Sequence, residues 1–192
     1  MATRSDLMSK LQLRTLDTQG RWLGPEAAID LINDGAEQVA RRLQGVESYR
    51  ETTTVIGQEL YHIRKDATTD YDVLDIISVF YDNFPLPYEE DRGYNFVNTA
   101  NGTPTRYSME GHRAITLQPK PNAAKTLRVY IRRLPTRMLN DGDISEMPGE
   151  LLDLILDYGI AQALRMRLGL DSPATIAAFA FYEQGIIRAK AE

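Results

Sequence analysis

Cysteine is absent from the 192-residue chain, and histidine occurs only twice. The lack of cysteine excludes disulfide bonds, thiolate metal sites and cysteine nucleophiles together. It also fits a reducing compartment. The two histidines, His62 and His112, lie in unrelated strand-like segments. An isolated histidine in a strand usually hydrogen-bonds a local partner, so neither histidine by itself indicates catalysis or metal binding.

Long apolar runs and an excess of basic charge are also missing. No segment approaches the roughly 18 apolar residues that cross a membrane, so we expect no membrane partner. The first residues lack the apolar stretch of a signal peptide, and we expect a soluble protein that is not exported. The formal net charge is −5. A general nucleic-acid binder is therefore disfavoured, because such binding depends on clustered lysine and arginine.

Motifs for catalysis and cofactor binding are lacking as well: there is no phosphate loop, GxGxxG, HExxH or GxSxG. Residues 141–146 resemble half of a calcium loop, with Asp141 and Asp143 at alternate positions. The twelfth position, counted from Asp141, is Leu152 where a calcium loop needs a bidentate glutamate. We expect a polar turn there, with no metal, no cofactor and no enzymatic activity.

Hydrophobic periodicity predicts helices toward both ends of the chain. Apolar residues recur at steps of three and four over residues 28–43, after Pro25 at a favoured first helical position. Residues 151–168 are apolar almost all round, which predicts a helix buried inside the subunit or between subunits. Gly169 ends this helix, and a last helix follows Pro173.

A period of two in the middle of the chain predicts strands. Residues 126–133 place Leu127, Val129 and Ile131 on one face and Arg128, Tyr130 and Arg132 on the other. We therefore expect an α+β fold, an α-helical bundle with an inserted antiparallel β-rich portion. The expected organisation is a single domain over residues 1–192, helical over 1–46 and 148–192, with a mainly β insertion over 50–135.

The nearly continuous apolar content of residues 73–81 predicts a strand that is largely covered on both faces. Strict alternation would divide its side chains into two sets, namely Ile77, Val79 and Tyr81 against Ile76, Ser78 and Phe80.

Two groups of charged residues are candidates for contacts with a neighbouring subunit or with DNA. The basic group flanks an aromatic residue, Tyr130, and consists of Arg128, Arg132, Arg133 and Arg137. Arginine interleaved with an aromatic can hold a nucleic-acid backbone, but we favour pairing with acids of a neighbouring subunit. The acidic group follows one helix stripe and consists of Glu150, Asp153 and Asp157. We interpret it as a solvated face or one side of an intersubunit salt bridge; the enzyme alternative would combine Asp153 and Asp157 with His112.

The C-terminal segment has no clean polar face. An exposed apolar stripe at the end of a chain is a candidate docking element. Its large members are Ile176, Phe179, Phe181, Tyr182, Ile186 and Ile187.

The order of four segments between residues 50 and 167 resembles tailed-bacteriophage head-to-tail adaptor proteins, also called connector or neck proteins. The segments are RETTTVIGQELYHIRKD, DVLDIISVFYDN, GTPTRYSMEGHRAITLQPKPNAAKTLRVYIRRLP and DGDISEMPGELLDLILDYGIAQAL. The family's Gln-x-x-Tyr, V-x-Y and G-x-P-x-x-Y patterns correspond here to residues 58–61, 79–81 and 102–107. No single motif is specific, and the resemblance depends on their order. Lys120 departs from the pattern, since a small or apolar residue often stands between the two prolines.

The resemblance implies a structural role without catalysis. Copies of the chain would form a ring of about twelve subunits beneath the portal, in the neck of the virion, after assembly in the host cytoplasm. The implied partners are the portal protein, tail, tail-tube or nozzle proteins, other copies of the chain, and DNA that passes without specific binding. The C-terminal residues would dock on the portal.

Two other roles remain open at this point. One is a phage tail-completion or terminator protein, although such proteins are usually richer in β structure. The other is a DNA-binding packaging or regulatory protein, which would need a helix with clustered basic residues.

Overall fold

A computed structural model describes residues 2–17, 19–43, 45–63, 72–90, 100–110 and 114–191. The chain divides into two compact units. The helical unit consists of Met1–Val46 and Pro135–Glu192, and the β unit consists of Glu47–Leu134. The α+β fold expected from the sequence is confirmed. His112 lies outside the described residues.

The described part of the helical unit contains four α-helices. They are α1 (Arg4–Arg14), α2 (Pro25–Arg42), α3 (Leu152–Leu168), which follows a short 3-10 turn (Gly149–Leu151), and α4 (Pro173–Ala191). No helix in the described part of the chain has the length and apolar character of a membrane span.

Helix α3 lies at the centre of the helical unit, where α1, α2 and α4 all pack on it. Leu154, Ile155 and Leu156 occupy three successive directions round the helix, and all three are buried. The sequence left open whether this helix is covered within the subunit or by a neighbour. The cover comes from the same chain, because three helices surround α3, so its apolar perimeter is no evidence for an intersubunit contact.

Nine short strands are present among the described residues of the β unit. They are β1 (Val46–Thr53), β2 (Leu60–His62), β3 (Val73–Tyr81), β4 (Phe84–Leu86), β5 (Asn101–Gly102), β6 (Arg106–Met109), β7 (Ala114–Gln118), β8 (Lys120–Pro121) and β9 (Thr126–Arg133). One sheet has the order β1-β9-β3-β4 and a second has the order β2-β7-β6. The pairs β3–β9, β3–β4, β2–β7 and β6–β7 are antiparallel, while β5 and β8 form a two-residue parallel pair.

The alternation expected for β9 is present. Leu127, Val129 and Ile131 are buried, with exposed fractions of 3 % or less. They belong to one hydrophobic cluster with Ile115 and Leu117 of β7, so both larger sheets contribute to the core of the β unit.

The expected alternation along β3 is wrong in its first half. Ile76 is buried with Val79 and Tyr81, whereas Ile77 is 41 % exposed. The register explains the difference, because Ile76 pairs with Ile131 and Ser78 pairs with the next residue of β9, Tyr130. One extra residue on β3, a bulge, transfers Ile76 to the core face and turns Ile77 outward. The strand is therefore not covered on both faces along its whole length.

Candidate assembly surfaces

The structure divides the six large apolar residues of α4 into two sets. Tyr182 and Ile186 are buried, with exposed fractions of 2 % and 0 %, and Phe179 is partly buried. Three residues remain on the surface, Ile176 at 58 %, Phe181 at 60 % and Ile187 at 65 % exposed. These three, with the partly buried Phe179 beside them, can meet a partner without disturbing the helical unit.

The buried face of α4 packs on α3 and α2. The ring of Tyr182 meets that of Tyr158 edge-on at 5.4 Å between centroids, and the Arg42 guanidinium lies 5.6 Å from the Tyr182 ring centroid. Burial raises the pKa of Tyr182, although Arg42 opposes the shift. Arg42 also forms a bidentate ion pair with the Glu183 carboxylate. These contacts hold α4 in place and leave its other face open.

The open face of α4 is almost free of charge. Glu183 is the only charged residue between positions 173 and 187, and its carboxylate is already bound by Arg42. Ala174, Ala177 and Ala180 are exposed beside the three large side chains. Contiguous exposed apolar surface of this kind is typical of an interaction site.

The acidic stripe of α3 forms a contact within the subunit. The Arg14 guanidinium of α1 lies 2.7 Å from the Asp153 carboxylate and 3.4 Å from that of Asp157. Burial raises the pKa of Asp157, and the neighbouring Arg14 partly offsets this effect. Glu150 is exposed on the 3-10 turn before α3. Two of the three acids thus connect α1 to α3.

The arginines of β9 are paired with acids of the adjacent strand β1. Arg128 lies 2.9 Å from Glu51, and Arg132 lies 3.8 Å from Glu47. Glu51 raises the pKa of Arg128 further above its already high value. Between the two arginines, Tyr130 contacts aromatic rings on both neighbouring strands. On this face of the sheet, two arginine–glutamate pairs therefore flank a row of three aromatic rings, those of Tyr49, Tyr130 and Phe80.

The other two arginines of the basic group have different surroundings. Arg133 is on the core side of β9, only 9 % exposed, and donates to the Leu134 carbonyl at 3.1 Å. Arg137 belongs to the helical unit and pairs with Asp30 and Asp34 of α2 at 3.3 and 3.2 Å. Alternation along β9 thus places Arg133 on the face opposite to Arg128 and Arg132, and Arg137 is paired with acids of its own unit.

The acidic segment after β9, residues 141–146, includes a turn that is closed by hydrogen bonds and joined to α1 by an ion pair. The Asp143 carboxylate accepts hydrogen bonds from the amides of Leu139 and Asn140 at 2.7 and 2.8 Å, and Asp141 pairs with Arg4 of α1 at 2.6 Å. Within the described residues, no group of three or more histidine, aspartate or glutamate side chains is arranged to hold a metal ion. His62 lies exposed on β2.

Sequence reasoning missed two further groups of exposed apolar residues in the helical unit. One is Leu13 and Leu16, which are 62 % and 87 % exposed at the end of α1. The other is the α3–α4 corner, defined here as Met166, Leu168 and Leu170, which are 49–66 % exposed. Periodicity alone cannot find them, since leucine near a helix end usually indicates packing against the core.

No curated protein matches the chain in sequence. A family model described as SU10 adaptor protein matches residues 2–192. The match includes both units and all four helices, and it agrees with the order of segments from which a phage head-to-tail adaptor was expected. The chain therefore belongs to the SU10 adaptor protein family.

Proposed function

We propose that copies of this chain form a ring that joins the portal of a tailed phage to its tail and lets DNA pass through the centre. The ring would contain about twelve subunits, lie in the neck of the virion and assemble in the host cytoplasm. The two units would act together as one adaptor, and the role includes no catalytic step. The observation that carries the proposal is the uncharged outer face of α4 in a chain of an adaptor family.

The exposed residues of α4 are the proposed contact with the portal. Ile176, Phe181 and Ile187 each keep more than half of their surface in water. Burying one such side chain completely is worth about 1.5–3 kcal/mol, and a few large residues usually supply most of the affinity of an interface. Phe179 would contribute at the edge of this contact, whereas Tyr182 and Ile186 would support it from beneath.

The paired charged residues are compatible with a channel through which DNA passes without being bound. DNA binding strengthens when unpaired arginines neutralise phosphates, but Arg128, Arg132 and Arg137 are already paired with acids of the same chain. We assign these pairs, and the acids Glu150, Asp153 and Asp157, to surfaces that face the channel or a neighbouring subunit. Arg133 would support the β unit from its core side.

The experiment is size-exclusion chromatography with light scattering, on the protein alone and mixed with the portal of its own phage. We expect either a ring or a monomer that assembles on the portal. Phe181→Ser and Ile187→Ser should retain the thermal stability of the original protein but lose portal binding. Deleting residues 174–192 is a poor test, because it removes the core residues Tyr182 and Ile186.

The neighbouring residue supplies the matched control for that experiment. Ile186→Ala removes buried methyl groups and should lower the free energy of unfolding by about 2–5 kcal/mol, whereas Ile187→Ser should not. A stable Ile187→Ser variant that still binds the portal would contradict the docking surface. A protein that remains monomeric and ignores the portal would contradict the adaptor role and favour a tail-completion, terminator or regulatory protein.

A further inference from the structure

Strand β1 is an open edge of the four-stranded sheet. Among the described strands its only neighbour is β9, and β4 lies at the opposite edge. β4 has three residues including Pro85, and such short, proline-containing edges resist further pairing. β1 has eight residues with neither proline nor glycine. An edge strand of this length can accept a further strand from a partner.

A hydrogen bond and an ion pair fix the register between β1 and β9. The Thr54 amide, directly after β1, donates to the Lys125 carbonyl at 2.8 Å. The Glu51 carboxylate lies 2.9 Å from the Arg128 guanidinium. Three residues backward from Thr54 thus correspond to three residues forward from Lys125, which is the register of an antiparallel pair.

The register shows which backbone groups of β1 are not used by β9. In an antiparallel pair every second residue hydrogen-bonds its neighbour, and Thr54 belongs to the bonded set. On the far side of β9 the Asp82 amide donates to the Thr126 carbonyl at 2.8 Å, so β9 alternates between its two neighbours as expected. The residues of β1 that direct their amide and carbonyl groups to the open edge are therefore Glu47, Tyr49, Glu51 and Thr53.

The side chains of these residues follow an acid–aromatic–acid order at the open edge. Tyr49 is 56 % exposed, and the side chains of Glu47 and Glu51 are 71 % and 45 % exposed. A carboxylate can accept several donors, so both glutamates can bind a basic side chain on the open side as well as the arginine on β9. The strand that β1 already pairs with has the complementary order, namely Arg132, Tyr130 and Arg128.

We infer that β1 binds an extended segment of a partner protein in which basic residues alternate with a central apolar or aromatic residue, two positions away on either side. The segment would extend the sheet by one strand, with backbone hydrogen bonds to the open edge and cross-strand pairs to Glu47, Tyr49 and Glu51. The β1 strand of a second copy fits poorly, because pairing about Tyr49 would place Glu47 opposite Glu51. The inference goes beyond the ring and the portal contact and depends on neither.

A synthetic peptide tests this site on the full-length protein. The probe is Thr-Thr-Arg-Thr-Tyr-Thr-Arg-Thr-Thr, with blocked ends and a fluorescent label, and the control peptide has glutamate in place of both arginines. Fluorescence anisotropy measures both affinities. We expect the arginine peptide to bind at least about tenfold more tightly, because like charges on paired strands repel. Equal affinities would overturn the inference.

Methylation of the peptide backbone separates strand pairing from simple charge attraction. One derivative is N-methylated at the tyrosine and another at the following threonine. Neighbouring amides of a strand point in opposite directions, so one derivative should bind at least about tenfold more weakly than the parent peptide while the other binds like it. If both derivatives keep the parent affinity, charge alone binds the peptide and the inference is wrong.

Amide hydrogen exchange locates the bound peptide. The amides of Tyr49 and Glu51 should exchange at least about tenfold more slowly with saturating peptide, whereas those of Ser48 and Arg50 already bond β9 and should change little. Slowing elsewhere in the chain without slowing in β1 would contradict the site. Slow exchange of Tyr49 and Glu51 in the free protein that disappears on dilution would show that a second copy occupies the edge, which also overturns the inference.

Two double variants with equal net charge complete the test. Glu47→Gln with Glu51→Gln should weaken binding of the arginine peptide about tenfold, while Glu26→Gln with Asp171→Asn should change it less than about twofold. Equal weakening would show that net charge alone attracts the peptide, and the inference would fail. None of these measurements involves the portal, so failure of this site leaves the proposed adaptor role standing.

Discussion

Single polar side chains hold the connecting segments of the helical unit. Asn33 of α2 both donates to the Met138 carbonyl and accepts from the Met138 amide, at 3.1 and 2.9 Å. Asp143 closes the turn after Asn140 in a similar way. These bonds replace the water that a loop amide would otherwise bind, and a buried polar group without its partner is costly. These hydrogen bonds therefore fix the connections between the helices that carry the exposed apolar residues.

Asp17 makes the helical unit sensitive to acid. Burial alone would raise its pKa, but the amides of residues 21–23, together with Arg167, lower it below the ordinary value of 3.8. A carboxylate with a lowered pKa stabilises the fold fully above its unfolded pKa, and the contribution fades as the pH falls through the folded pKa. Asp17→Ala should therefore lower the melting temperature at pH 7 and make less difference below pH 3.8.

Thermal melts of both proteins across pH 2–7 measure that difference. Glu150→Gln, an exposed acid on the 3-10 turn, is the control and should leave the curve unchanged. An equal deficit of Asp17→Ala at every pH would show that Asp17 acts through packing, with no contribution from its charge.

At the scale of elements, close contact between helices depends on glycines that face a neighbour. A β-carbon added at Gly35 of α2 would lie 2.8 Å from the main-chain oxygen of Ile155 in α3. Main-chain atoms of a helix cannot move aside as a flexible side chain can. At Gly185, by contrast, the nearest atom is the end of the Leu154 side chain. Gly35 therefore sets the distance between α2 and α3 more strictly than Gly185 sets the distance between α3 and α4.

Gly35→Ala should destabilise the protein although alanine is the better helix former. The gain in helix propensity is about 1 kcal/mol, while overpacking a tight contact costs about 1–3 kcal/mol. We expect a net loss of up to about 2 kcal/mol in urea unfolding. Gly142→Ala, where an added β-carbon meets nothing within 4 Å, is the control; a Gly35→Ala protein more stable than the original would refute this account of the packing.

At the scale of the whole molecule, the net charge is −5. Two arginines on one face of β9 are paired with acids of β1, Arg128 with Glu51 and Arg132 with Glu47. In the proposed ring, these two paired arginines would add little to DNA binding, and the negative net charge would weaken it further.

Removing the partners of these arginines should make the protein retain DNA. Glu47→Gln with Glu51→Gln frees Arg132 and Arg128, and we expect DNA binding that weakens steeply with salt, as phosphate contacts do. The control, Glu26→Gln with Asp171→Asn, changes the net charge equally. Neither of those acids forms an ion pair among the described residues. Gel-shift titrations at two salt concentrations compare the variants, and equal binding by both would show that net charge alone matters.

The sequence by itself determined the class of fold, the extent of β9 and the family. The alternation in residues 126–133 could be predicted because it depends only on the pleat of a strand. The family could be predicted because the order of the segments along the chain does not depend on how they pack. What only the tertiary structure decided was which side chains remain exposed. Ile76 and Ile77 exchange faces because of a bulge, and Ile186 and Ile187 differ because α3 covers one side of α4. The partners of Arg14 and Arg128 are distant in sequence. Which side chains are exposed and which ion pairs form depends on residues that are distant in sequence, and local periodicity cannot specify them. The surfaces proposed for assembly are made of the side chains that remain exposed.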